Sequence, residues 1–377
     1  MRKPAYFPIL DPLRFIASLC VFFAHSAIYF RVPGGGLSFG PFVQHAGYFG
    51  VVFFYTLSGF LITYLLLAER KNTGSIAVRA FYMRRMLRIG PLYYLIILVA
   101  FFVLPHLEPG SLTGLKKGWG EAFVLYMLLL PNIVPLRGFF LDACAQTYTI
   151  GYEEQFYLVW PLILRNWAGR RLLYLLIFFF LLPIMLEAVH LLIISPRSPF
   201  GGKPPLALRA FLSFMNYFNL PAFIAGAIGA YLYIEYGTSL APVLAKKGWT
   251  YLLPVLILTL MNFTFPSGLG YVNVVSLLFV LLILNLILRK SGEGPVARFL
   301  ARGGKISYGI YIYHIALMIL VSFWMNRLHW LAPGWPVCSY LLFVFVSLVL
   351  VLAVSSLSYR WFEQYFLRKK TRWQPKA

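Results

Sequence analysis

The sequence predicts an all-α fold, a polytopic bundle of membrane helices. Of its 377 residues, 60% are hydrophobic and only 12% are charged, and the aromatic fraction of 18% is high. Apolar runs of membrane length recur from one end of the chain to the other. The sequence shows no long polar tract, Gly/Ser linker or internal repeat between them. We therefore expect a single integral membrane domain over residues 1–377.

Ten stretches of the chain are long and apolar enough to span a bilayer. They lie at about 10–30, 46–67, 89–105, 148–165, 171–194, 211–233, 250–265, 271–288, 306–326 and 337–359. An eleventh apolar stretch, at about 120–135, is shorter and is interrupted by Pro131 and Pro135. Its length and its prolines make it a poor candidate for a full crossing.

The distribution of positive charge decides between ten and eleven crossings. The formal net charge is +22, which in a membrane protein indicates basic cytoplasmic loops rather than nucleic-acid binding. Ten crossings with a cytoplasmic N-terminus place most of the 33 Lys and Arg residues in cytoplasmic loops. A crossing at 120–135 would move every later loop to the opposite side. We therefore expect a re-entrant or partly inserted segment there. Both termini should lie in the cytoplasm, and the location should be a bacterial cytoplasmic (inner) membrane.

The first predicted span carries two polar residues, Arg14 and His25. A cation and an imidazole are costly inside hydrocarbon, so they indicate a functional site. At about 1.5 Å per residue they lie about 16 Å apart along the helix, close to three turns, and therefore face nearly the same side. An imidazole titrates near neutral pH, which suits His25 to act as a general base. The alternative is a structural histidine that bonds a backbone carbonyl between helices.

The fourth predicted span begins with an acidic pair, Glu153 and Glu154. Adjacent residues on a helix point about 100° apart, so the two carboxylates are expected to have different roles. One could orient an imidazole or balance its charge, and the other could pair with a basic residue of a neighbouring helix. An acidic pair favoured by the helix dipole is the alternative, although two acids at membrane depth cost more than the dipole returns.

The third predicted span begins with a dense basic motif, FYMRRMLRIGPLYY (81–94), which contains Arg84, Arg85 and Arg88. Arg85 and Arg88 are i,i+3 neighbours on one helix face. Guanidinium groups bind phosphate in a bidentate manner, so the motif suits a phosphate-bearing ligand. Ordinary positive-inside anchoring is the alternative.

Two further motifs place polar or small residues inside spans. SYGIYIYHI (307–315) aligns Tyr311 and His314 on one stripe of the ninth span. This stripe predicts either a second histidine site or interhelical hydrogen bonds, and the bonds are favoured for the tyrosines. In the second span, Ser58 and Gly59 predict either close helix packing or approach to a narrow ligand. On the ligand alternatives, Ser58, Tyr311 and His314 join the three arginines as candidate cofactor-binding residues.

The motifs together resemble the acyltransferase 3 family of membrane O-acyltransferases. The resemblance covers nearly the whole chain. It rests on the order of six features: an arginine and a histidine in the first span, FFYTLSGFLI, FYMRRMLRIGPLYY, YEEQFYLVWP, SYGIYIYHI and a closing SYRWFE. One departure is visible at Thr147–Tyr152, where the family often has Trp-Ser-Leu-Ser-Val before the glutamate pair. We expect this departure to alter the acceptor pocket.

The resemblance implies a reaction and roles for the site residues. The family moves an acyl group, commonly acetyl, from cytosolic acyl-CoA to a hydroxyl of a carbohydrate or glycolipid. Arg14 and His25 then match the family's first-span pair, Arg85 and Arg88 its Arg-x-x-Arg motif, and Glu153 and Glu154 its acidic pair. We expect the arginines to bind the phosphates of the donor and His25 to act as general base. Arg14 would hold the donor or balance charge along its path. No metal and no nucleic acid are expected to take part.

Two other classes of membrane protein compete with this interpretation. A secondary transporter or flippase for a lipid-linked sugar could also have ten spans and buried charges, but it usually shows two similar halves. A membrane glycosyltransferase that uses a polyprenyl-phosphate sugar would need acids in an outer loop. The predicted outer loops contain only Glu108, Glu121 and Asp142.

Overall fold

The computed structural model describes residues 6–30, 39–108, 118–194, 219–263, 269–289, 294–330 and 335–373. Over these ranges the chain is helical and contains no β-strand, which confirms the predicted all-α class. The helices of the first half are α1 (Leu10–Tyr29), α2 (Pro41–Thr73), α3 (Val78–Leu98), α4 (Leu104–Leu107), α5 (Trp119–Met127) and α6 (Tyr148–Asn166). Those of the second half are α7 (Gly169–Ile194), α8 (Leu220–Leu244), α9 (Lys247–Met261), α10 (Leu269–Leu288), α11 (Pro295–Arg327), α12 (Pro336–Ser358) and α13 (Gln364–Lys369).

Each of the ten predicted spans coincides with a helix, although residues 211–218 of the sixth and 264–265 of the seventh lie outside the described residues. Within the described ranges, seven helices are long and apolar enough to cross a membrane. An eighth crossing results if α8 and α9, which meet at an angle of 94°, form one bent span. The predicted number of ten counts α8 and α9 separately and adds α6, whose glutamates and Arg165 lower its hydropathy.

The helices form two compact units. The first contains α2 from Val51 onward together with α7, α8, α9 and α10. In it α2 and α8 touch backbone to backbone: a Cβ on Gly59 would overlap the carbonyl of Phe223, and a Cβ on Gly226 would overlap the carbonyl of Thr56. Small residues allow such close approach in membrane helices. The glycine-rich motif of the second span therefore serves close helix packing at Gly59.

The sharp bend between α8 and α9 is stabilised from α10. Carbonyl groups at the end of a helix lack partners within that helix. The Asn285 side-chain amide donates to the carbonyls of Leu244 and Lys246, at 2.6 and 3.1 Å. Thr250 in turn donates to the Asn285 side-chain oxygen at 2.8 Å. A buried asparagine thus bonds backbone carbonyl groups on both sides of the bend.

The second unit contains α1, α3, α4, α5, α11, α12, α13 and the first part of α6. Its centre is a cluster of apolar side chains on α1, α11 and α12, which includes Phe22, Met318 and Phe343. The N-terminal part of α2 packs on α1 through glycine: a Cβ on Gly50 would lie 2.8 Å from the carbonyl oxygen of Ala17. α1 is thereby held between helices of the same unit.

The segment predicted to be re-entrant turns back on itself. α5 has only nine residues, too few to cross a bilayer. The chain then returns, because Arg137 forms an ion pair with Glu121 at 2.6 Å and Phe139 lies against Gly118. The inner end of the segment reaches α3, where the Tyr93 hydroxyl donates to the carbonyl of Tyr126 at 2.8 Å. The segment therefore enters and leaves at the same end, and its insertion into the membrane stays a prediction.

The returning part of this segment is tied to α6. The side-chain amides of Asn132 and Gln155 exchange two hydrogen bonds, at 3.0 and 3.3 Å. Gly151 permits the approach, since a Cβ there would lie 2.5 Å from the side-chain oxygen of Asn132. Gly151 belongs to the stretch Thr147–Tyr152, which therefore has a packing role in this chain.

We expect Gly226→Ala to destabilise the protein, because its new methyl group would meet the backbone of Thr56. Overpacking of this kind costs about 1–3 kcal/mol. The matched control is Gly237→Ala on the same helix, whose Cβ would find its nearest neighbour, the Tyr233 ring, at 3.7 Å. There the higher helix propensity of alanine should keep or raise stability by up to about 1 kcal/mol. Thermal unfolding of both variants in detergent tests the difference, and equal midpoints would contradict the close α2–α8 contact.

Candidate functional site

Glycine brings α1 and α11 together in the second unit. A Cβ on Gly304 would overlap the carbonyl of Asp11, and a Cβ on Gly303 would lie 2.6 Å from the ring of Phe15. Further along both helices, His25 reaches His314, so α1 and α11 run in the same direction. The small residues of α11 therefore determine how closely the two histidines can meet.

The two histidines form a contacting pair. His25 Nδ1 lies 3.3 Å from His314 Nε2, and the ring centroids are 4.9 Å apart in an edge-to-face arrangement. His314 is only 1% exposed. His25 is partly exposed, and its ring stacks on that of Tyr29 at 6.3 Å. In this pair, His314 is therefore buried and His25 is partly accessible.

Both imidazoles also bond to backbone carbonyls of their own helices. His25 Nδ1 lies 2.9 Å from the carbonyl oxygen of Val21. His314 Nδ1 lies 2.8 Å from the oxygen of Tyr311 and 3.2 Å from that of Ile310. From the sequence, a bond from His25 to a backbone carbonyl is expected only if this histidine has a structural role. His25 instead combines this contact with an imidazole neighbour and partial exposure.

The acidic pair of α6 lies near an arginine of α3. Glu153 and Glu154 are both within electrostatic range of Arg85. One side-chain oxygen of Glu154, Oε1, is buried without a hydrogen-bond partner. Within the described residues, the hydrogen bonds of His25 go to Val21 and His314 and not to a glutamate. Of the two roles considered for the pair, pairing with a basic residue of a neighbouring helix therefore fits this geometry.

The three arginines of α3 have different surroundings. Arg85 lies over the rings of Phe81 and Tyr157, at 5.6 and 5.2 Å from the centroids, as in cation–π contacts. Arg84 Nη1 donates to the carbonyl of Trp373 at 2.7 Å, which ties the end of the described chain to α3. Arg88 is exposed and lies within electrostatic range of Glu363.

A lysine that sequence reasoning did not select joins these arginines. Lys370 follows α13, and its electrostatic neighbours in the described chain are Arg14, Arg84, Arg85 and Arg88. We call these five residues the basic cluster. In the sequence, Lys370 is one member of a basic C-terminal run that the positive-inside rule accounts for. Only the packing of that run against α3 distinguishes it.

Arg14 links this cluster to α1. Its guanidinium forms an ion pair with Asp11 at 2.6 Å, one turn earlier on the same helix. The side chain of Arg14 keeps 19% of its surface exposed. α1 therefore carries Arg14 of the basic cluster near its start and His25 about 16 Å further along.

Tyrosines of α11 connect that helix to its neighbours. The Tyr308 hydroxyl donates to the carbonyl of Ile89 on α3 at 2.9 Å. The Tyr311 hydroxyl bonds Thr149 on α6 at 2.5 Å and the carbonyl of Gln146 at 3.2 Å. These are the interhelical bonds that the sequence favours for the tyrosines.

Gln146 is a second residue that sequence reasoning missed. It is 1% exposed, and its side-chain nitrogen donates to the carbonyl of Ile312 on α11 at 2.5 Å. That bond leaves the side-chain oxygen of Gln146 buried without a partner. Nothing in the sequence distinguishes a glutamine just before a helix. Gln146 is unusual only because its side chain is buried in the folded protein.

Ser58 belongs to the other unit. It lies on α2, is partly buried, and precedes the Gly59 that contacts α8. Ser58 belongs to the first unit, and the other nine candidate residues belong to the second unit. In the described part of the chain, no group of three or more His, Cys, Asp or Glu side chains is arranged to hold a metal ion.

Comparison with known proteins identifies the family. An acyltransferase-domain model, that of the acyltransferase 3 family, matches residues 7–360. A Staphylococcus aureus (strain COL) protein, provisionally named an O-acetyltransferase, is 23% identical over 410 aligned positions, which cover 99% of this chain and 60% of that protein. The chain thus spans about 60% of the length of the relatives that it matches from end to end.

Two further relatives match part of the chain. The peptidoglycan O-acetyltransferase OatA of Listeria monocytogenes is 29% identical over 166 residues, 42% of this chain and 24% of that protein. The O-acetyltransferase OatA of Staphylococcus aureus (strain NCTC 8325) is 28% identical over 168 residues, 44% of this chain and 26% of that protein. No solved structure matches the chain. The family model covers most of the sequence, and the chain therefore belongs to the acyltransferase 3 family of multi-pass membrane proteins.

Proposed function

We propose that this chain is a membrane O-acyltransferase that moves an acyl group, commonly acetyl, from acyl-CoA to a hydroxyl of a carbohydrate or glycolipid. The observation that carries the proposal is the arrangement on α1 in the second unit. The partly exposed imidazole of His25 lies about three turns from Arg14, which belongs to the basic cluster. Residues 1–377 would act as one functional domain.

The acceptor class follows from chemistry and from the relatives. A partly buried imidazole can deprotonate a hydroxyl, and carbohydrates present many hydroxyls. Among the relatives, one is named for peptidoglycan, and several others are named O-acetyltransferases without a substrate. A carbohydrate or glycolipid acceptor is therefore the class that we propose.

The basic cluster is suited to the phosphate groups of coenzyme A. Acids offset part of its charge: Asp11 pairs with Arg14, and Glu153 and Glu154 lie near Arg85. The electrostatic neighbours of Lys370, in contrast, are four arginines. A polyanion bound there would relieve this repulsion through charge-assisted hydrogen bonds. Positive charge collects on the cytoplasmic side of membrane proteins, which is where acyl-CoA is available.

The reaction needs one proton acceptor and a correctly placed thioester. His25 takes the proton of the acceptor hydroxyl as its oxygen attacks the thioester carbonyl carbon. The carbon–sulfur bond then breaks, and the thiolate of coenzyme A takes the proton back from His25. The products are the O-acyl ester and free coenzyme A, and the enzyme returns to its starting state.

The same arrangement suggests an orientation in the membrane. Both termini and the basic cluster would face the cytoplasm of a bacterial cell, and the imidazole pair would lie deeper in the cytoplasmic membrane. The arginines of the cluster lie in the first halves of α1 and α3, and Lys370 follows α13, which fits the positive-inside rule. The donor would then enter from the cytoplasm, with its phosphates on the cluster and its thioester towards His25.

We expect His25→Ala to abolish acyl transfer, because it removes the imidazole that accepts the proton of the acceptor hydroxyl. General-base catalysis typically contributes about 10²–10⁴-fold in rate. The assay follows labelled acetyl from acetyl-CoA into the acceptor with purified protein. It also separates the enzyme from a transporter, which would leave the label on the donor.

The control for this variant is His106→Ala on α4, an exposed histidine outside the proposed site. It should transfer acetyl at the normal rate. Size-exclusion chromatography of each variant establishes that it is folded and monodisperse. Normal transfer by folded His25→Ala would refute the general-base role.

We expect the double variant Arg85→Ala, Arg88→Ala to bind acetyl-CoA more weakly. Loss of one charge-assisted hydrogen bond costs about 1.5–3 kcal/mol, so affinity should fall at least about tenfold. The KM for the acceptor should change much less. Titration calorimetry with coenzyme A measures the effect, and the double variant Arg298→Ala, Arg302→Ala on exposed positions of α11 is the control. Unchanged donor affinity in the first variant would count against the proposed phosphate site.

Lys370 allows a sharper test of the same site. Lys370→Ala should weaken coenzyme A binding several-fold, whereas Lys369→Ala should not, because Lys369 is exposed and bonds the Tyr365 hydroxyl of its own helix at 2.7 Å. Adjacent lysines share the bulk electrostatic effect of the C-terminal run. Only a specific contact with the donor predicts a difference between them, and equal affinities would refute it.

A further inference from the structure

The proton positions in the histidine pair follow from the carbonyl groups around it. A carbonyl oxygen can only accept a hydrogen bond. His314 Nδ1 lies against two such oxygens, those of Tyr311 at 2.8 Å and Ile310 at 3.2 Å. His314 therefore carries its proton on Nδ1 and donates it to the backbone.

The second nitrogen of His314 is then an acceptor. His314 is 1% exposed, and in the described chain its ring contacts are His25 and Tyr311, neither of which is an acid. A buried imidazolium without an acidic partner would cost far more than the neutral ring. With Nδ1 protonated and the ring neutral, Nε2 holds a lone pair.

The same reasoning applies to His25. Its Nδ1 lies 2.9 Å from the carbonyl oxygen of Val21 and 3.3 Å from the Nε2 of His314. Both neighbours are acceptors, so Nδ1 must carry the proton, shared between them. The opposite tautomer would place the lone pair of Nδ1 against a carbonyl oxygen and another lone pair. His25 therefore keeps its Nε2 unprotonated, on a ring that is partly exposed.

We propose that His314 is a positioning residue, which holds His25 in the tautomer whose Nε2 accepts the proton of the acceptor hydroxyl. This inference rests on the proposed function, in which His25 is the general base. When His25 takes up the proton, the bond from its Nδ1 to His314 becomes charge-assisted and stronger. The role corresponds to that of the residue that orients the histidine in a catalytic triad, with a neutral imidazole in place of the carboxylate.

The test compares three substitutions, measured as kcat and KM per folded molecule. His314→Ala removes the acceptor, whereas His314→Gln places an amide oxygen close to the position of Nε2. Ser322→Ala, two turns further along α11 and 8% exposed, is the matched control for a change in the packing of this helix. Size-exclusion chromatography normalises each rate to folded protein.

The expected result is a loss in kcat that glutamine rescues. His314→Ala should lower kcat by about 10- to 100-fold, which corresponds to a lost hydrogen bond to a charged group. The KM values for acetyl-CoA and for the acceptor should stay within about twofold of wild type. His314→Gln should recover most of the rate, and Ser322→Ala should match wild type.

Two results would overturn the inference. A normal kcat for folded His314→Ala would show that His25 needs no orienting partner. An equal loss of kcat in His314→Gln and His314→Ala would show that a hydrogen-bond acceptor at the position of Nε2 is not the cause of the effect. Should both His314 variants fail to fold, wild-type protein with 15N-labelled histidines still decides, and His25→Ala serves only to assign the His25 signals. His25 must show a protonated Nδ1, and a protonated Nε2 would refute the proposal.

Failure of this inference can be told apart from failure of the proposed function. If His25→Ala is inactive while His314→Ala is normal, only the positioning role falls. If His25→Ala transfers acetyl normally, the general base itself is refuted, whatever the His314 variants do.

Discussion

The close approach of α1 and α11 is the constraint on which the site depends. Lipid tails are as apolar as most helix surfaces, so membrane helices associate through close packing and interhelical hydrogen bonds. Gly303 and Gly304 supply that packing, since a side chain at Gly304 would collide with the backbone of α1. The imidazoles of His25 and His314 meet only because the backbones are held this closely. The two histidines can therefore form a pair because Gly303 and Gly304, about three turns away, let the helices approach.

Ionised residues and imidazoles lie at different positions along α1, and the cost of burying a charge in a membrane explains this arrangement. Near its start, Arg14 is accompanied by Asp11 and lies within range of Lys370. Further along, the polar groups are two imidazoles whose Nδ1 atoms lie against backbone carbonyls. Ions are tolerated in a membrane protein where partners or water compensate them, and neutral groups are cheaper at depth. The division separates a region suited to bind anions from one suited to move a proton.

The segment between α5 and α6 is supported by two neighbouring helices, α3 and α6. α5 ends near Tyr93 of α3, and the chain returns past Asn132, which bonds Gln155. Gly151 lies opposite Asn132, where a Cβ would come within 2.5 Å of the side-chain oxygen. Because α6 also supplies Thr149 to the Tyr311 hydroxyl, this segment and α11 are supported from the same helix.

The sequence by itself determined the all-α class, the positions of the helices and the family. Hydropathy, proline and the side on which basic residues collect are local properties that a bilayer makes decisive. Only the tertiary structure decided that His25 faces His314, that the α6 glutamates lie near Arg85, and that Lys370 joins the arginines of α3. These contacts join residues far apart in the chain, and sequence spacing carries no information about such pairs.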